Sequence, residues 1–217
     1  MFKVWMWKRL FEDFPVFLQG FGVTIGVSVL ALFLTVIISF AMGLARCFHN
    51  KPLQKFAQAY MSAFQNTPLV VQIFFLYNVL PRLNIMLTSF EVGFIGLSLY
   101  TGAFGAAIIE ASIKAVPPQQ TEAAQSQGFG YLQTMVLIVL PQAMKIALPP
   151  MANQAVNLIK NSSVMALIAG GELMYRADSW ASDASVYGPT FIVTGLLYLS
   201  ICLPLSKSVQ RLERKAR

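Results

Sequence analysis

Residues 21–45 read FGVTIGVSVLALFLTVIISFAMGLA, a run without Asp, Glu, Lys, Arg or His that is closed by Arg46, His49 and Lys51. An α-helix rises about 1.5 Å per residue, so a run of this length crosses a hydrocarbon layer of about 30 Å. It is too long for the core of a signal peptide, and no small-x-small cleavage pattern precedes it, so it is expected to stay in the protein as a membrane span. The composition agrees: 56% of the 217 residues are hydrophobic and 12% are charged, whereas soluble domains carry about 25% charged residues. A bilayer is the solvent that such a chain suits. Helices close their own backbone hydrogen bonds in lipid, so the fold class is read as all-α, an integral membrane helical bundle.

Four more apolar runs lie downstream. They cover roughly Phe56 to Leu80, Val92 to Ala115, Ala147 to Gly171, and Thr190 to Leu205. The expectation is therefore five transmembrane helices in one domain over residues 1–217. An odd number of spans puts the termini on opposite sides, and Lys and Arg collect in inner segments. With the C-terminus inside, the inner segments hold ten: Arg46, Lys51, Lys55, Lys114, Lys145, Lys207, Arg211, Arg214, Lys215 and Arg217. The outer ones hold five, Lys3, Lys8, Arg9, Arg82 and Arg176. This places the N-terminus outside and a basic tail, residues 206–217, in the cytoplasm. Residues 1–20 mix Trp5, Trp7, Phe11 and Phe14 with charges, as an interfacial amphipathic helix does. Gly22 with Gly26, and Gly102 with Ala106, have the small-xxx-small spacing that permits close helix approach.

The net charge of +7 is distributed between spans and forms no basic stripe with interleaved aromatics, which argues against nucleic acid. Cys47 and Cys202 are far apart and outside any C-x-x-C pattern, and His49 is the single histidine, so neither a disulfide framework nor a metal site is indicated. There is no G-x-x-x-x-G-K-[ST] loop to cradle phosphate and no nucleophile with a nearby base. No catalytic residue is assigned.

The segment between the third and fourth runs, residues 117–150, is longer than a minimal loop. Pro117-Pro118 stops the preceding helix, and a short helix starting near Thr121-Glu122 and ending at Gly128 or Gly130 would lie along the cytoplasmic face. Within it, Glu122-Ala123-Ala124, then Gly128, then nine residues and Ile138-Val139-Leu140-Pro141 match every fixed position of the EAA signature. The chain therefore resembles the permease subunits of ABC importers. Gln65-Asn66-Thr67-Pro68-Leu69-Val70-Val71-Gln72 and Lys160-Asn161-Ser162-Ser163-Val164 are similar to segments of the polar amino-acid branch of that family. The resemblance implies a homodimer, or a heterodimer with a related permease, in the cytoplasmic membrane. It implies two copies of an ABC ATPase inside, which would bind ATP and Mg, and an extracytoplasmic amino-acid-binding protein outside; this chain would hold no cofactor itself. It also implies that residues 117–141 form a coupling loop in which Glu122, Ala123, Ala124 and Gly128 dock the ATPase.

Asn153, Gln154, Asn157, Lys160 and Asn161 recur at steps of three and four, so they share one helix face in the fourth run. Polar residues this deep are costly unless they pair or face water. Two readings stand: a face lining the translocation path, or hydrogen bonds between helices. In histidine and arginine transporters of the family a Glu near this position contacts substrate, and Gln154 occupies that slot here. A neutral amide beside Lys160 points to a neutral or acidic polar amino acid, with pairing of Lys160 to Glu110 or a carbonyl as the alternative. Glu110 is read as a lone interfacial charge. A stand-alone secondary transporter or channel would need a buried ion relay, for which Glu110 is the one residue on offer.

Overall fold

The charge-free run becomes the middle of α2 (Phe14–Cys47) in the computed structural model, which describes residues 3–216. Met1, Phe2, Arg217 and the side chains of Leu212, Lys215 and Ala216 lie outside that description, and with them the charges of Lys215 and Arg217 counted above. Pro15 sits in the first turn of α2, where a missing N–H breaks no hydrogen bond, and a short α1 (Val4–Glu12) precedes it. The third run forms α5 (Ser89–Lys114). It begins at a capping box: Glu91 N–H donates to Thr88 Oγ1 (3.3 Å) and Thr88 N–H donates to the Glu91 carboxylate (2.7 Å).

The register of α2 on α5 sets the topology. Ser98 Oγ donates to the Ala31 carbonyl (3.2 Å), Gly102 faces Ile38, Gly43 faces Ile109, and Arg46 reaches Glu110. Residue numbers rise together along the two helices, so they run parallel and the intervening segment must carry the chain back. The sequence predicts one apolar span there, Phe56 to Leu80, with Pro68 as a candidate helix break. Instead the chain forms α3 (Lys51–Gln65), then α4 (Leu69–Val79) with a 3-10 turn (Leu80–Leu83).

The break is local chemistry. Pro68 has no N–H and holds the backbone extended at the N-cap of α4. Asn66 and Thr67 turn their side chains back onto the Ser62 and Ala63 carbonyls. Gln72 Nε2 donates to the Phe64 and Thr67 carbonyls, each at 3.0 Å, which satisfies groups that a continuous helix would have paired.

Four helical stretches among the described residues are long and apolar enough to cross a membrane alone: Phe14–Cys47, Ser89–Lys114, Tyr131–Ile168 and Gly188–Arg211. Between parallel α2 and α5 the chain returns through α3 and α4, of which only Leu69–Leu83 is a shorter apolar helix. The third of these stretches starts well before the expected Ala147. It consists of α7 (Tyr131–Thr134), a π turn (Met135–Val139), α8 (Leu140–Asn161) and a 3-10 turn (Ser162–Ile168). The π turn comes just before Pro141, whose absent N–H removes one rung of the α ladder. The polar residues of α8, with Pro149 and Pro150 inside it, hide this continuity from hydropathy.

α8 runs antiparallel to α5, with Met151 beside Gly105 and Met165 against Gly93. α9 (Leu173–Ala184) crosses the start of α2, where Leu173 N–H donates to Thr24 Oγ1 (3.1 Å) and Trp180 Nε1 to Asp13 (2.9 Å). Leu10, Phe17, Leu173, Trp180 and Val186 pack together at that end. α10 (Gly188–Ala216) then returns along α8. Close approach is realised at Gly102, where a Cβ would lie 2.7 Å from Ile38, but a Cβ on Gly22 or Gly26 would meet nothing within 4 Å. Those two glycines face away from the rest of the chain.

Candidate functional site

The expected short helix is α6 (Pro118–Ser126), which starts at Pro118, not at Thr121, because Pro117 and Pro118 hold the backbone angles of a helix entry. It ends where the sequence placed its stop. Gly128 has φ +86° and donates N–H to the Gln125 carbonyl (2.9 Å), while Phe129 N–H donates to the Ala124 carbonyl (3.1 Å). This pair of bonds is a Schellman motif, in which the residue at Gly128's position is left-handed and glycine fits without strain. The four residues of the EAA triplet and its glycine do not share one environment. Glu122, Ala123 and Gly128 are exposed, whereas Ala124 is buried against the chain itself.

At the root of α6, Glu110 is not the lone charge expected. It is buried, accepts from Arg46 Nε at 3.1 Å and from Lys114 Nζ at 2.6 Å. Arg46 lies 64 positions away in sequence, a partner that no local pattern reveals. Lys160 therefore does not pair with Glu110. Past α6, the Tyr131 hydroxyl donates to the Cys47 carbonyl at 3.1 Å, and its ring meets His49 edge-on with centroids 4.8 Å apart.

The polar face of α8 opens onto a cleft of about 330 Å³ lined by Gln154, Asn157, Lys160 and Asn161, with Tyr100 and Phe104 of α5 opposite. Four of the five polar residues are thus brought together. Asn153 is not among them; its amide donates to Glu213 of α10 at 2.9 Å. Among the described residues, the side chains of Gln154, Asn157, Lys160 and Asn161 have no hydrogen-bond partner, so they do not tie the helices of this chain to one another. An unpaired amide in apolar surroundings costs about 1–3 kcal/mol, so these groups are suited to water, to a ligand or to a second chain. The rings of Tyr100 and Phe104 lie one turn of α5 apart with centroids 5.1 Å from each other and planes tilted by 55°. Their four-residue spacing on one face was the signal, though it looks the same as core packing.

Lys160 also borders a second cleft of about 260 Å³ with Ser163, Met174, Phe191, Thr194, Gly195 and Tyr198. Behind it, fully buried Glu172 caps α9, accepting from Met174 N–H and Tyr175 N–H (2.7 Å each) and from the Tyr198 hydroxyl (2.9 Å). Burial pushes the Glu172 carboxyl above the ordinary carboxylate range, against the downward pull of these donors. Among the described residues no group of three or more His, Cys, Asp or Glu is placed to hold a metal ion.

Comparison with known proteins gives three results. Residues 35–217 match the family described as binding-protein-dependent transport system inner membrane component. The chain is 41% identical over 206 residues to the probable glutamine ABC transporter permease protein GlnM of Bacillus subtilis (strain 168), covering 95% of each. It is 32% identical to the L-cystine transport system permease protein TcyB of the same organism, over 96% of this chain and 90% of the relative. Among solved structures, an amino acid ABC transporter crystallised with histidines superimposes with a TM-score of 0.89 at 29% identity, over 95% of this chain and 97% of that one.

Proposed function

This chain belongs to the family of binding-protein-dependent transport system inner membrane components and is a permease subunit of an amino-acid ABC importer; from that premise we propose that it moves a neutral or acidic polar amino acid, glutamine or glutamate first, by ATP-driven alternating access. One observation carries the substrate reading. The cleft on α8 presents the amides of Gln154, Asn157 and Asn161 and the ammonium of Lys160, with no carboxylate among its lining residues. Amides supply donors and acceptors for an amino acid's carboxylate and ammonium, and Lys160 adds a positive charge that disfavours a cationic side chain. The relative named for glutamine supports this reading, while a relative at 31% identity is named for arginine, so family membership alone does not choose.

α6 is read as the docking element for the ATPase, with Glu122, Ala123 and Gly128 on its exposed side and Ala124 seating it on the bundle. Two ATPase copies, a second permease chain and an outside receptor complete the machine. The N-terminus lies outside and the C-terminus in the cytoplasm, where the tail and α6 share a side. Distinct substrate affinities in the outward- and inward-open states turn the ATPase's closure into transport. Of the two buried carboxylates among the described residues that a stand-alone transporter could use, Glu110 is occupied by Arg46 and Lys114, and Glu172 by the Met174 and Tyr175 N–H groups and the Tyr198 hydroxyl.

The test is uptake of labelled glutamine, glutamate and arginine into vesicles carrying the assembled complex. Glutamine or glutamate is expected to dominate, and Lys160→Ala is expected to reduce uptake about tenfold or more while the ATPase still co-purifies. Preferred uptake of arginine or lysine would overturn the substrate reading.

A further inference from the structure

We propose that the inner end of α2 is the element through which α6 moves the bundle, with Arg46, Glu110 and Tyr131 as the positioning residues of that link. The proposal rests on the reading of α6 as the ATPase-docking helix and adds the route by which its displacement is passed on.

The geometry is a bracket. Upstream of α6, the last turns of α5 are fastened to α2 by the Glu110–Arg46 pair at 3.1 Å, with Lys114 on the other carboxylate oxygen at 2.6 Å. Buried Val116 then leads into Pro117. Downstream, the first residue of α7 returns to the same place: the Tyr131 hydroxyl donates to the carbonyl of Cys47, next to Arg46 in sequence, at 3.1 Å. That carbonyl belongs to the last turn of α2, where no further helical N–H is available to it. Arg46 Nη1 also meets the Gln54 carbonyl of α3 at 3.5 Å. Two consecutive residues of α2 thus hold both flanks of α6 and the start of α3.

A half-buried ion pair keeps its partners together: Lys114 travels with Glu110 on α5, but separating Glu110 from α2 leaves the Arg46 guanidinium without its carboxylate in a poorly solvated place. The Tyr131 bond restrains the opposite flank, so a shift of α6 is delivered to α2 and α5 together and is not absorbed by a loose loop. The exposed docking side, Glu122, Ala123 and Gly128, takes no part in these contacts. Docking and transmission are therefore separable by mutation.

The experiment uses the complete complex in proteoliposomes and measures amino acid taken up per ATP hydrolysed, beside co-purification of the ATPase. Tyr131→Phe deletes one hydroxyl and keeps the ring; Glu110→Gln keeps the shape and deletes the charge. In each, co-purification and ATP hydrolysis are expected at the wild-type level, while uptake per ATP falls about tenfold, the size of an ordinary coupling between sites. Arg46→Lys, which keeps the charge, is expected to fall less than Arg46→Gln. If Glu110→Gln fails to assemble, Tyr131→Phe alone decides. Wild-type uptake per ATP in Tyr131→Phe overturns the proposal, as does loss of co-purification in that variant, which would make the anchor a part of docking. A wild-type chain that brings down no ATPase would refute the docking reading instead.

Discussion

Glu172 shows how one buried residue serves the end of the molecule opposite α6. Its carboxylate closes the first turn of α9 and receives the Tyr198 hydroxyl from α10, so it ties two helices while standing out of reach of solvent. Because burial raises its folded pKa above the unfolded value, the folded state holds its proton over a pH range where the unfolded chain has lost it. The stability contributed by this group is complete below the unfolded carboxylate pKa and declines as pH rises through the folded one. A thermal-denaturation series in detergent is expected to show the midpoint falling across that window, and Glu172→Gln is expected to flatten this dependence. An unchanged slope in Glu172→Gln would assign it to other groups. Nothing around Glu172 in the sequence announces this: a Gly-Gly-Glu stretch reads as a loop, and Tyr198, 26 positions on, reads as part of an apolar span.

At the level of elements, α6 was the most legible part of the chain and the second apolar run the least. Pro117-Pro118 and Gly128 are boundary signals with fixed stereochemistry, and the helix ends where they put it. Residues 56–80 look continuous in hydropathy, which does not register where a carbonyl finds its donor; the break falls at Pro68 and is completed by Gln72 reaching back to Phe64 and Thr67. The polar face of α8 was visible from its spacing, but its partition was not, since Asn153 is claimed by Glu213 from a helix 60 positions away. The same limit hid the Arg46–Glu110 pair: a long-range ion pair needs the register of α2 on α5 before either partner can be named. For α6 itself, Gly128→Glu forces a side chain into a left-handed position, a strain of about 1–2 kcal/mol, and adds a carboxylate to the side proposed to dock the ATPase. Pull-down of the ATPase is expected to be lost with membrane insertion intact, whereas Gly128→Asn, which tolerates that conformation, is expected to retain it. Full pull-down by Gly128→Glu would remove α6 from the interface.

On the scale of the whole molecule, parallel α2 and α5, antiparallel α8 and returning α10 bring α6, the basic end of α10 and the Arg46 cluster to one end. The α9 crossing and α1 occupy the other. Between them the cleft lined by Gln154, Asn157, Lys160 and Asn161 opens from the side of the bundle, and Gly22 and Gly26 face outward, so the chain presents unpartnered surfaces of two kinds. The proposed assembly with a second permease chain, an ATPase and a receptor accounts for both, where a self-contained channel leaves the exposed side of α6 idle. The deciding measurement is accumulation of labelled glutamine in proteoliposomes holding this chain, its ATPase and its receptor, with and without ATP inside the ATPase-accessible compartment. Accumulation against a gradient only when ATP and the ATPase are both present is the expected result; equal flux through the chain alone, without either, would contradict it.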